Sequence, residues 1–139
     1  MSHIQRHIKD LIARFLTNDP FALADYLNFI VRYEDLPTCT RGLTALYLGT
    51  RFLVINRIVP SQESRFVCAH ELGHAILHPD SDRFFIQDNT LFPLGKYERE
   101  AQQFAVELLT YFSSPECGET KSHYFCRLGV PFEEDEFYP

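Results

Sequence analysis

No stretch of the 139 residues approaches the run of about 18 apolar side chains that a membrane-spanning helix needs. The opening Met1-Ser2-His3-Ile4-Gln5-Arg6-His7 lacks the apolar core of a secretion signal. A cytoplasmic location without a membrane partner is therefore expected. Lysine and arginine are nowhere concentrated and the net charge is −6, which argues against nucleic acid as a direct partner. There is no internal repeat and no low-complexity segment. The four cysteines, Cys39, Cys68, Cys117 and Cys126, form no Cys-x-x-Cys pair, which speaks against a thiolate zinc site or a dithiol redox motif. Free thiols suit a reducing compartment.

What remains is ordinary globular material: 45% hydrophobic and 14% aromatic residues, enough for one domain with a proper core. Ile4, Ile8, Leu11, Ile12 and Phe15 recur at helical spacing and predict an amphipathic helix over 4–16. Asp19-Pro20 is a helix start, an N-cap followed by proline at the first position, for a short helix from Phe21 to about Leu27. Phe29–Tyr33 reads as extended. Gly42–Leu48 and Phe52–Asn56, separated by Gly49-Thr50, read as a β-hairpin. A helix is predicted from about Glu63 to His78, where Pro79 stops it. Residues 79–95 read as an irregular loop with one short strand at Arg83–Gln87. A second long helix follows over about Lys96–Phe112, with Glu98, Ala101, Gln102, Ala105, Leu108, Leu109 and Phe112 on its inner face and Glu100, Gln103 and Glu107 turned towards solvent. A short helix at 121–128 should end at Gly129, and the acidic segment 132–137 is read as solvated.

The chemistry is concentrated in Cys68-Ala69-His70-Glu71-Leu72-Gly73-His74-Ala75-Ile76-Leu77-His78. Residues four apart lie on one face of a helix, so His70 and His74 can aim at one point. Two neutral imidazoles at that spacing suit a tetrahedral zinc with an open position, and Glu71 is placed to take a proton from water there. Both histidines share a face with Phe66, Ala69, Gly73 and Leu77, where an imidazole without a partner would be costly. Cys68, two residues before His70, is on the wrong face to ligate and reads as a small core residue.

A third protein ligand has four candidates. Asp80 falls six residues after His74, but the glycine that would turn the chain is replaced by Leu77. His78 continues the four-residue series, yet three points spread over about 12 Å of straight helix do not converge. That leaves it at the rim or behind a ligand. Glu98 sits on the apolar stripe of the second helix, where a carboxylate needs a partner, and Gln102 on the same face could orient a ligating histidine. Glu100 is directed further out. Glu98 fits best.

Two segments together carry a resemblance. Arg65-Phe66-Val67-Cys68-Ala69-His70-Glu71-Leu72-Gly73-His74-Ala75-Ile76-Leu77-His78 and Glu98-Arg99-Glu100-Ala101-Gln102-Gln103-Phe104-Ala105-Val106-Glu107-Leu108-Leu109 resemble the ImmA/IrrE family of metallopeptidases. Phe21-Ala22-Leu23-Ala24 and the hairpin ending Val54-Ile55-Asn56 are similar to that family's N-terminal half, so the likeness covers about 18–112. The resemblance implies a thermolysin-like zincin core with one zinc per chain, His70, His74 and Glu98 as ligands and Glu71 as catalytic base. It also implies a protein substrate, a helix-turn-helix DNA-binding repressor of a phage or mobile element. The family usually has asparagine where Gln102 stands and Met-Pro where Thr110-Tyr111 stand.

The expected fold is α+β: a short antiparallel sheet packed on an active-site helix and a second ligand-bearing helix. Residues 1–37 would form an N-terminal helical part, 38–112 the zincin core and 113–139 a C-terminal extension. The expected activity is that of a zinc endopeptidase; a zinc-binding module that sequesters its partner without cutting it is the alternative, and a general scavenging peptidase a third. His78 and Gln102 are expected behind the ligands, with His78, His123 and Tyr97 as candidate oxyanion donors. The strand Leu43-Thr44-Ala45-Leu46-Tyr47 is expected to present an edge to an extended substrate.

Overall fold

The computed structural model describes residues 2–79 and 94–131. Their order is α1 (His3–Phe15), α2 (Pro20–Tyr26), β1 (Phe29–Glu34), β2 (Gly42–Tyr47), β3 (Thr50–Asn56), a 3₁₀ turn (Ser61–Glu63), α3 (Ser64–Leu77), α4 (Leu94–Leu109) and α5 (Lys121–Leu128). The architecture is α+β, as the sequence predicts. The expectations for 83–87, Asp80 and the acidic 132–137 segment lie outside the described residues.

Local sequence accounts for the element boundaries. Ser2 caps α1 in a reciprocal box: its hydroxyl accepts from the Gln5 N–H at 3.1 Å while Gln5 Oε1 accepts from the Ser2 N–H at 3.0 Å. Asp19 Oδ1 accepts from the Phe21 N–H at 3.1 Å, with Pro20 in the first turn of α2. Leu48 and Gly49 both take positive φ, 49° and 80°, the two-residue turn whose twist suits a hairpin. α5 ends with Gly129 in the left-handed region.

The hairpin is present as expected, but the sheet is mixed. Its order is β1-β3-β2, with β2 antiparallel and β1 parallel to β3. After β1 the chain crosses to the far edge before the hairpin brings β3 into the middle. The crossing segment is tied down by one side chain. Asn56, 1% exposed, donates from Nδ2 to the carbonyls of Leu36, Pro37 and Thr40 at 3.1, 3.1 and 2.8 Å. Its Oδ1 accepts from the Leu36 and Ile58 N–H groups. A buried amide satisfied on every side fixes a loop that has no ladder of its own.

α3 is the central element, packed against the sheet, α2 and α4. Its burial therefore extends beyond the one predicted face, to Val67, Cys68 and Leu72. Cys68 is the small core thiol expected, and burial pushes its pKa up. The seam between α3 and α4 is tight because Gly73 faces Phe104. α1 lays Ile4, Ile8, Leu11 and Ile12 onto the other side of α4 and onto α2. Each such side chain contributes about 1.5–3 kcal/mol as an upper estimate.

Two expectations for α4 are corrected. Glu107, placed towards solvent by the helical period, is buried under α1, where Gln5 Nε2 donates to it at 3.2 Å and Gln103 Nε2 at 3.3 Å. Phe112, placed on the inner face, is 64% exposed because the helix ends at Leu109. There Thr110 turns its hydroxyl back onto the Val106 carbonyl at 2.8 Å and the chain leaves the helical path.

Candidate active site

α3 supplies His70, Glu71 and His74, and α4 supplies Glu98 and Gln102. The convergence depends on the helices lying close enough for side chains from both to meet, which Gly73 permits. His70 Nε2 lies 3.1 Å from Glu98 Oε2, His74 Nε2 lies 3.0 Å from Glu98 Oε1, and the two Nε2 atoms are 3.2 Å apart. Among the described residues these three form a cluster able to hold a metal ion.

The donor set fits zinc. Ligand atoms around a tetrahedral ion with bonds of about 2.0–2.2 Å are separated by roughly 3.3–3.6 Å, slightly more than the spacing here. Tautomers point the same way. His70 Nδ1 lies 2.8 Å from Gln102 Oε1, an acceptor, so Nδ1 carries the proton and Nε2 presents its lone pair. Burial alone would push the Glu98 carboxyl up, but hydrogen bonds and charge from His70 and His74, when those imidazoles are protonated, hold it well below the usual carboxylate range. It is the one partly open member of the set, with 43% of its side chain exposed against 12% and 3% for His70 and His74.

Glu71 is buried, its Oε2 4.0 Å from His70 Nε2, beside the cluster and not within it. β2 begins directly against it: a Cβ on Gly42 would come 2.9 Å from Val67 Cγ1 and 3.1 Å from Glu71 Cγ. Only glycine allows the strand that close.

The site opens into a cleft of about 410 Å³. It is lined by Cys39, Thr40, Arg41 and Gly42, by Phe66 and Val67, and by His70, Glu71, Glu98 and Gln102. Arg41 is held by Glu63 at 3.0 Å. Sequence reasoning missed residues 39–41, which precede the strand it singled out. β2 pairs only with β3 among the described residues, so it is an edge strand there, but Leu43–Tyr47 do not line the cleft itself.

Of the remaining expectations, His78 lies behind His74, with Nδ1 3.2 Å from His74 Nδ1. Its other nitrogen is 3.3 Å from Glu100 Oε1, so Glu100 is turned inward to His78 and not simply outward. Tyr97 packs its ring on His78, centroids 4.3 Å apart. His123 is exposed on α5 and is not among the residues lining the cleft.

Residues 24–110 match the IrrE N-terminal-like domain family, more than half of the chain. The chain belongs to the ImmA/IrrE family. It is 41% identical over 106 residues to "Uncharacterized immunity region protein 2" of Bacillus phage phi105, covering 76% of this chain and 67% of that protein. It is also 28% identical over 106 residues to "Metallopeptidase ImmA" of Bacillus subtilis (strain 168), covering 76% of this chain and 62% of that one. The chain thus spans about two thirds of the length of these relatives. No solved structure matches. The family match covers all the residues of the cluster and Glu71, while α1 and α5 fall outside it. No described helix is long and apolar enough to cross a membrane.

Proposed function

We propose that this chain is a zinc-dependent endopeptidase that cleaves a cytoplasmic protein regulator, a DNA-binding repressor of a phage or mobile element. The observation that carries the reading is the meeting of His70, His74 and Glu98 within hydrogen-bond distance, with the buried carboxylate of Glu71 beside them at the foot of an open cleft. A purely structural zinc site has no use for a base next to its open position. The name of the phage relative, an immunity region protein, supports a regulatory partner.

In this reading His70, His74 and Glu98 hold one zinc ion, and Gln102 fixes the tautomer of His70. When bound, zinc supplies a Lewis acid and brings the pKa of water at the site towards about 7. Glu71 accepts a proton from the attacking water as the new C–O bond forms at the scissile carbonyl. It returns that proton to the amine as the C–N bond breaks, which leaves one new carboxyl and one new amino terminus. The edge of β2 that faces away from β3, which starts at Gly42 beside Glu71, pairs with an extended stretch of substrate main chain.

The test is co-incubation of the zinc-loaded chain with a helix-turn-helix repressor encoded beside its gene, read by mass spectrometry of the fragments. Two defined fragments are expected from wild type and none from Glu71→Gln. A repressor that stays whole but is bound and silenced equally by both proteins would replace the peptidase with a sequestering module.

A further inference from the structure

The sequence of the active-site helix carries a third histidine that the proposed mechanism leaves without work. His78 is the C-cap of α3, with φ −129° and ψ 55°, so the backbone leaves the helical path at this residue. That departure lets its ring turn back under His74 instead of continuing along the helix. Its Nδ1 is 3.2 Å from His74 Nδ1, and its Nε2 is 3.3 Å from Glu100 Oε1. The ring is almost fully enclosed, 6% exposed, with Tyr97 packed on it.

The proton positions along this line are linked. For His74 to present a lone pair at Nε2, its proton must sit on Nδ1 and be donated to His78 Nδ1. His78 can accept there only if its own proton is on Nε2, and the acceptor for that proton is the Glu100 carboxylate. A carboxylate cannot donate to His78, so the direction of the whole line is set at Glu100. We propose that Glu100 is a positioning residue of the metal site, acting through His78 to hold His74 in the tautomer and orientation that offer Nε2 to the ion. The arrangement parallels the His70–Gln102 bond with one imidazole inserted. Each proposed histidine ligand is thereby oriented by a residue of α4, and Glu98 and Glu100, two apart on that helix, do different jobs. This inference rests on the proposed metal site.

Its test reads metal affinity and not peptidase activity, by competition for zinc with a chromophoric chelator and by the visible spectrum of the cobalt-loaded protein. Glu100→Leu removes the acceptor and should weaken zinc binding by about 10-fold or more and shift the cobalt bands. Glu100→Gln keeps a carbonyl acceptor for His78 and should stay within about 2-fold of wild type with an unchanged spectrum. His78→Phe should cost about 10–100-fold, and adding Glu100→Leu to it should cost nothing more, because the intermediary is already gone. Thermal unfolding of the metal-free proteins checks that each variant is folded; Glu100→Ala serves if the leucine variant is not. Zinc affinity unchanged in Glu100→Leu, or a loss as large in the His78→Phe background as in wild type, would overturn the relay while leaving the metal site standing. A wild-type protein that takes up neither metal would overturn both.

Discussion

Gly73 faces Phe104 across the seam between α3 and α4, and a Cβ added to it would lie 2.9 Å from Phe104 Cδ1 and 3.1 Å from Phe104 Cβ. The two helices that carry the cluster are thus held together at a point one residue from His74. Phe104 is itself fully buried and has little room to yield. Gly73→Ala should cost about 1–3 kcal/mol by overpacking, even though alanine is the better helix former. Because the added methyl pushes α4 outward, it should also carry Glu98 away from the histidines. Urea unfolding of the metal-free protein measures the first effect and chelator competition the second. Normal zinc affinity in a destabilised Gly73→Ala protein would mean that the seam does not set the ligand spacing.

The ligand assignment separates two neighbouring glutamates. Glu98→Gln should release zinc, since a neutral amide is a poor replacement for a carboxylate that touches both imidazoles at 3.0 and 3.1 Å. Glu100→Gln should retain it. Elemental analysis of the two purified variants decides the matter, and equal zinc in both would remove Glu98 from the set. Because the imidazoles must be neutral to ligate, zinc should also be lost as the pH falls through the range where histidine takes up a proton.

Glu71 separates catalysis from folding. Glu71→Gln preserves the side-chain volume packed beside Gly42, so zinc content and melting temperature should hold. Cleavage should fall by about 100-fold or more, because an amide cannot accept the proton of water. Near wild-type cleavage would move the role of base to another residue.

Much of this site was legible before the fold. The spacing of His70 and His74, the carboxylate on an apolar stripe at Glu98 and the amide four residues on at Gln102 each have a local physical signature. So does the helix start at Asp19, whereas the Ser2 cap is not read from the sequence and the hairpin turn, expected at Gly49-Thr50, falls one residue earlier at Leu48-Gly49. What escaped depends on contacts distant in sequence. Nothing near Asn56 announces that residues 36–40 will fold back onto its side chain, so the wall of the cleft could not be found. The period of α4 taken alone turns Glu107 to solvent; α1 covers that face, and the only hint in the sequence is that α1's own apolar stripe needs something to cover. Phe112 falls on the inner face only if the period is continued past Leu109, where the helix stops.

Glu107 also yields a pH dependence. Burial pushes its carboxyl above the usual range, against the donated bonds from Gln5 and Gln103, which lower it. A raised folded-state value means the native protein holds this proton more tightly than the unfolded chain does. Stability from this group is therefore full below the ordinary carboxylate range, falls as the pH rises through it to the folded value, and remains reduced above. Glu107→Gln, which cannot ionise, should be more stable than wild type near about pH 7, with the difference shrinking towards about pH 4. Unfolding midpoints at the two pH values provide the check, and a gain that did not depend on pH would point to packing instead.

The register of the hairpin turns the substrate-edge idea into a choice between adjacent residues. The Asn56 N–H donates to the Arg41 carbonyl at 2.8 Å, which makes Arg41 and Asn56 a hydrogen-bonded pair. In an antiparallel ladder such pairs alternate, so Leu43–Val54, Ala45–Phe52 and Tyr47–Thr50 follow as bonded pairs. Gly42, Thr44 and Leu46 therefore direct their N–H and C=O groups away from β3, towards the outer edge. Thr44→Pro removes an outward donor and leaves the ladder intact, so the protein should fold and bind zinc normally while cleaving its partner about 10-fold or more slowly. Ala45→Pro removes a bond to Phe52 and should instead destabilise the hairpin by a few kcal/mol, about the cost of proline within a sheet. Cleavage of a folded, zinc-loaded Thr44→Pro protein at the wild-type rate would show that substrate does not lie along β2, and would leave residues 39–42 as the surface on which to look for it.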